Sequence, residues 1–175
     1  GDVYKRQMKR IAGVDMDIER STAEQLRTVR MPDTDGKTFR SDLVVPALKD
    51  YISICGKYDK TAVLELKNPM ERKHVLNIAA LVKDMGWLDR TIFISFAKEN
   101  LVILREEYRY ADLQFLTGEA SDENFEFMKR YRLGADLCGA CVSREYVSRL
   151  HAEGLPVNCW TIDRPEDAAA LIGMG

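Results

Sequence analysis

Four short apolar segments recur with a period of about 22 residues: TIFISF (91–96), LQFLT (113–117), ADLCGA (135–140) and PVNCWTI (156–162). A fifth, TAVLEL (61–66), precedes them. Each is followed by a stretch with helical spacing: ERKHVLNIAALVKDMGW, KENLVILREEY, SDENFEFMKRYRLG, SREYVSRLHAEG and RPEDAAALIGMG. Ser121 reads as a helix cap, Gly86, Gly134 and Gly154 as helix stops, and Pro165 as a first-turn residue. Strands that alternate with helices at this pace form a parallel sheet, because parallel neighbours need a crossover between them. Such a sheet is either open and doubly wound or closed into a (β/α) barrel. No glycine-rich phosphate loop follows any strand, which removes the usual nucleotide-binding open sheet. The expectation is an α/β chain forming part of a (β/α)8 barrel, with about five parallel strands and outer helices. A barrel carries its functional groups at the C-terminal ends of the strands, where Glu65, Lys67, Ser95, Phe96, Thr117, Glu119 and Trp160 lie.

The N-terminal third follows no such rhythm. GDVYKRQ leads into nothing that follows it and reads as translated adapter, so residues 1–7 are set aside and 8–175 are taken as part of one barrel domain. GVDMDIERST carries Asp15, Asp17 and Glu19 at alternating positions. STAE, Ser21 to Glu24, has the form of a capping box for a short helix reaching about Arg30. PDTDGKTFRSD reads as a loop turning at Asp35-Gly36. Pro46 suits a helix start, and Leu48, Tyr51, Ile52, Cys55 and Tyr58 recur as that helix's inner face.

Bulk properties exclude several classes. A formal net charge of -2 lacks the basic excess of a nucleic-acid binder. No apolar run approaches the roughly 18 residues of a membrane helix, and no signal segment opens the chain. An apolar share of 46% with 31% charged residues is an ordinary globular composition. The four cysteines, Cys55, Cys138, Cys141 and Cys159, show no disulfide framework, which points to a reducing, cytoplasmic setting. CGAC (138–141) has redox-motif spacing, and its place across a strand end and a loop allows a redox role, but free packing thiols are the simpler reading. A zinc site would need further ligands at partner spacing. Phe125, Phe127, Met128 and Tyr131 read as the core face of a helix, and Arg105 to Arg109 as a solvated helix end.

The first strand raises the chemical question. Glu65 and Lys67 share a face, with Leu64 and Leu66 on the other. Burying charge is costly unless it is paired or coordinated. The plain reading is a structural ion pair. The functional one is a carboxylate for a divalent cation beside an ammonium for an anionic substrate. Lys67 as a Schiff-base lysine is disfavoured by a carboxylate two residues away.

VLELKNP resembles the Glu-x-Lys strand of the glycerophosphodiester phosphodiesterase family. VPALKDYISIC resembles the helix before it, and ISF (94–96) and FLT (115–117) continue the likeness. It is strongest over LHAEGLPVNCWTIDRPEDAAALI (150–172), with its Trp-Thr-x-Asp pattern and Pro-Glu-Asp helix start. The resemblance covers roughly residues 41–172. It implies a (β/α)8 barrel that hydrolyses a glycerophosphodiester, a small-molecule substrate, to glycerol 3-phosphate and an alcohol with Mg²⁺ or Ca²⁺. It implies Glu65 as a metal ligand, Lys67 as the catalytic contact to the phosphate, and Trp160 against the glycerol moiety, with Phe96 as a further substrate contact.

The family's His-Arg, Glu-x-Asp and His-Asp pairs have no counterpart here. Asp15, Asp17 and Glu19 read as the segment after the His-Asp pair, since they lie too close to the Glu-x-Lys strand to be the metal strand. His74 and His151, the only two histidines, fall on outer helices and read as solvated. That leaves no acid/base pair and a single carboxylate for a cation that prefers about six oxygens. The expectation is a fragment with about five of eight strands, inactive alone. The alternative is a non-catalytic scaffold whose unpaired strand edges recruit other chains.

Overall fold

A computed structural model describes residues 8–174, so the reading of residues 1–7 lies outside the described residues. The chain divides into two compact units, one up to Tyr51 and one from Ile52 onward.

In the first unit, residues 8–12 are helical and a 3-10 turn spans Ile18–Arg20. Helix α1 (Ala23–Thr28) follows, then strands β1 (Arg30–Pro32) and β2 (Phe39–Val44). Met8, Ala12 and Val29 form a small core with Val14, Met16, Ile18, Met31 and Val45 against it. Two expectations shift here. The capping box belongs to Thr22 and Gln25, one residue later than Ser21 and Glu24, because Thr22 takes the extended cap conformation and accepts the Gln25 amide. The segment expected as a loop is an antiparallel hairpin, β1 against β2. Its turn does sit at Asp35-Gly36, where Asp35 accepts the Lys37 and Thr38 amides and Gly36 takes φ 67°. Asp17 caps the 3-10 turn through the Glu19 amide.

The unit boundary falls inside helix α2 (Leu48–Lys57). Ile52 and Cys55 are buried as expected, but Tyr58 lies past the helix end and is exposed, with Lys57 over its ring. The second unit then alternates as the sequence rhythm requires. Its elements are β3 (Ala62–Glu65), α3 (Arg72–Asp84), β4 (Thr91–Ser95), α4 (Lys98–Glu107), β5 (Asp112–Thr117), α5 (Asp122–Tyr131), β6 (Gly134–Cys138), α6 (Arg144–Ala152), β7 (Val157–Trp160) and α7 (Pro165–Ile172). The five strands β3 to β7 pair in sequence order, all parallel, as a curled half-barrel flanked by helices. Among the described residues, no helix is long and apolar enough to cross a membrane.

Residues in register on parallel strands share a face. One face carries Ala62, Leu66, Phe93, Ser95, Leu113, Ala135 and Leu137, all buried. It meets the helices: Asn100 of α4 donates to Ser95 Oγ at 3.3 Å, and Asn124 of α5 donates to Thr117 Oγ1 at 3.1 Å. Ser121 and Ser143 cap α5 and α6 by accepting the amides of Asn124 and Tyr146. The stop of α5 is Arg132, in the left-handed conformation, and not Gly134. Gly134 opens β6 instead, because a Cβ there would lie 2.9 Å from Gln114 Cγ and 3.0 Å from Pro156.

Candidate active site

Counting by twos along each strand, the opposite face carries Val63, Glu65, Ile94, Gln114, Leu116, Asp136, Asn158 and Trp160. Glu65 ends β3 on this face and Lys67 follows two residues on. Their charged groups meet at 3.6 Å, Lys67 Nζ to Glu65 Oε2. The other carboxylate oxygen, Glu65 Oε1, is shut off from water with no hydrogen-bond partner. An anionic oxygen in that position is costly unless something positive meets it.

The turn that carries Lys67 is held from the helix side. Asn100 Nδ2 donates to Leu66 O at 3.3 Å and Asn68 O at 2.7 Å, and Asn100 Oδ1 accepts the Met70 amide at 3.1 Å. Ser95 Oγ donates to Leu66 O at 2.5 Å. Ser95 and Thr117, expected among the functional strand-end residues, therefore serve the helical layer: Thr117 Oγ1 accepts the Glu119 amide and Asn124.

Phe96 and Trp160 come together across the mouth, edge to face with centroids 5.7 Å apart. The Trp160 indole donates to Asp136 O at 3.1 Å, which fixes its plane. A cavity of about 470 Å³ opens beside it, with Cys138, Thr161 and Asp167 in its lining.

Asp136 is the residue that sequence reasoning missed. Its side chain is buried, and its pKa is raised, first by desolvation and then by the Glu65 charge. The signal was present: Ala135-Asp136-Leu137 puts a lone carboxylate at the alternate position of an otherwise apolar strand. Asn158 and Gln114 bond to each other at 2.8 Å on the same face.

His74 and His151 lie exposed on α3 and α6, as expected, and neither sits on the Glu65 face. All four cysteines are free. Cys141 donates to Gly118 O at 2.5 Å, and burial followed by Cys138 pushes its thiol pKa up, opposite to a redox thiolate. Among the described residues no group of three or more His, Cys, Asp or Glu side chains could hold a metal. The orphaned Glu65 oxygen suits a single donor to a hard cation.

The sequence profile of the glycerophosphoryl diester phosphodiesterase family matches residues 3–175. No curated protein matches the chain. Among solved structures, an Oleispira antarctica phosphodiesterase in complex with the product sn-glycerol-3-phosphate is 21% identical at TM-score 0.81, over 95% of this chain and 69% of that one. A glycerophosphodiester phosphodiesterase from Parabacteroides distasonis is 23% identical at TM-score 0.71, over 90% of this chain and 65% of that one. At these identities the likeness is one of fold. The chain spans 65% of the length of the Parabacteroides protein and 69% of the Oleispira one.

Proposed function

The chain belongs to the glycerophosphoryl diester phosphodiesterase family, and from that premise we propose that the Glu65 face is part of a site for hydrolysing glycerophosphodiesters to glycerol 3-phosphate and an alcohol. The observation that carries this reading is the unpartnered, water-shielded oxygen of Glu65 beside the Lys67 ammonium. Glu65 would be one oxygen ligand of Mg²⁺ or Ca²⁺, which when bound withdraws charge from phosphoryl oxygens. Lys67 would contact the phosphate and offset its negative charge. Trp160 and Phe96 would offer apolar rings to the glycerol carbons, with the indole held in plane by its bond to Asp136 O. Asp136 lies on the same face within reach of the Glu65 charge, and burial followed by that charge raises its pKa.

Neither histidine stands on this face, and the chain by itself is proposed to bind the product and not to turn over substrate. Its free thiols suit a reducing compartment, and the cytoplasm is the proposed location. The test is titration calorimetry with sn-glycerol 3-phosphate in Ca²⁺, alongside hydrolysis of glycerophosphocholine. Saturable binding lost in Glu65→Gln and in Lys67→Ala is expected, without turnover. Binding indifferent to both substitutions would sink the site, and turnover abolished by Glu65→Ala would overturn the inactivity.

A further inference from the structure

Arg105 is not the solvated helix end that its mixed-charge neighbourhood suggests. Its guanidinium donates to the carbonyls of Tyr131 at 2.9 Å, Arg109 at 2.6 Å, Ala111 at 3.0 Å and Arg132 at 2.9 Å. It thereby ties the end of α4 to the start of β5 and to the turn between α5 and β6. Burial lowers its pKa, Asp112 opposes that, and the neighbouring Arg132 charge adds to it. Ala111 and Arg132 lie just before the first residues of β5 and β6, so this knot sits at the end of the sheet opposite Glu65.

Around it lies a cavity of about 510 Å³ lined by Arg105, Arg109, Arg130 and Arg132 with Tyr110 and Tyr131, and by no carboxylate. Arg105 is occupied by carbonyls. Among the described residues Arg109, Arg130 and Arg132 make no ion pair with a carboxylate, although Arg130 also borders a neighbouring cavity with Glu123 and Glu126. Several arginines elsewhere on the helical layer do pair, Arg72 with Glu106, Arg149 with Asp122 and Arg164 with Glu166, while Arg144 donates to Gly173 O. In a chain of net charge -2, unpaired arginines gathered on one cavity stand out. The negative ends of α4 and α5 favour a cation in each last turn, at roughly 0.3–1 kcal/mol apiece. That accounts for Arg130, but not for Arg109, which lies beyond the end of α4. Nor does it account for an arginine at Arg132, whose φ of 50° suits glycine or asparagine better.

We propose that this cavity binds a multivalent phosphate, free or carried on a larger molecule. Planar guanidinium forks grip phosphate oxygens bidentately, and several together balance its charge. Tyr110, 89% exposed with Arg109 5.6 Å from its ring, forms the rim. Inorganic pyrophosphate is the probe, titrated calorimetrically into Lys67→Ala protein, so that the proposed phosphate contact at the other end of the sheet is removed. One saturable event is expected, weakened roughly tenfold by adding Arg132→Gly or Arg109→Ala and weakened further by salt. Arg132→Gly suits the left-handed backbone and so keeps the fold, which a melting temperature no lower than the parent's checks. No saturable heat in Lys67→Ala, or binding untouched by both arginine substitutions, overturns the proposal.

Discussion

On the sheet face that meets the helices, Ala62, Leu66, Phe93, Leu113 and Leu137 are shut off from water, and the polar groups Ser95, Asn100, Thr117 and Asn124 are hydrogen-bonded. On the other face Val63 and Phe96 are exposed, one Glu65 oxygen has no partner, and Asp136 is buried within reach of the Glu65 charge. The same five strands thus carry a satisfied face and an unsatisfied one. Stability comes from the first, because apolar burial and completed hydrogen bonds lower the free energy of the fold. Affinity for a ligand belongs to the second, because an unmet charge is improved only by something that binds.

The largest expected effect lies on the satisfied face. Phe93→Ala should cost about 3–5 kcal/mol in denaturant unfolding and leave the affinity of folded protein for sn-glycerol 3-phosphate unchanged. An affinity loss as large as the stability loss would break the separation of the faces. Asn100→Ala comes next, at about 1–3 kcal/mol, since it removes the acceptor of the Met70 amide and one donor each from the Leu66 and Asn68 carbonyls, Leu66 O keeping its bond from Ser95 Oγ. Exchange of the Met70 amide should quicken in this variant. Unaltered protection would mean that Asn100 does not hold the Lys67 turn.

Asp136→Asn probes the unsatisfied face through pH. The folded-state pKa of Asp136 is raised above its unfolded value, so the native state holds the proton more tightly. Stability from this group falls as pH rises from the ordinary carboxylate range through the raised value, and stays reduced above it. The Asn variant should therefore gain on the parent toward neutral pH and match it in acid, as followed by melting temperature across pH. A difference constant with pH would remove Asp136 from the argument. The smallest stability change is expected for Glu65→Gln, within about 1 kcal/mol because its ion pair is partly exposed. Ca²⁺ binding, read by calorimetry, should nonetheless disappear. A large destabilisation with cation binding intact would make Glu65 a structural residue.

Much of this was readable in the chain. The strand period, the Ser121 cap, the Gly154 stop (φ 70°) and Pro165 at the start of α7 are local signals, and local chemistry placed them. The alternation in TAVLELK suggested Glu65 and Lys67 on one face; β3 ends at Glu65, and the two charged groups nonetheless meet at 3.6 Å. The hairpin at residues 30–44 was not readable, because exposed polar strands such as FRSDLV lack an apolar alternation. Gly134 looked like a helix stop because a glycine after a helix usually is one, and only the approach of Gln114 and Pro156 shows its use.

The order of strands and helices and the placing of an acid near a base at the end of β3 were determined by sequence alone, since each depends on neighbours a few residues apart, and parallel pairing followed because a helix intervenes between successive strands. The tertiary structure alone decided that Glu65 is left one oxygen short, that Asp136 faces it from β6, that Phe96 meets Trp160, and that Arg105 is a buried clamp. Those outcomes depend on packing between separate strands and helices, which brings together residues far apart in the chain and excludes the water that would otherwise satisfy them.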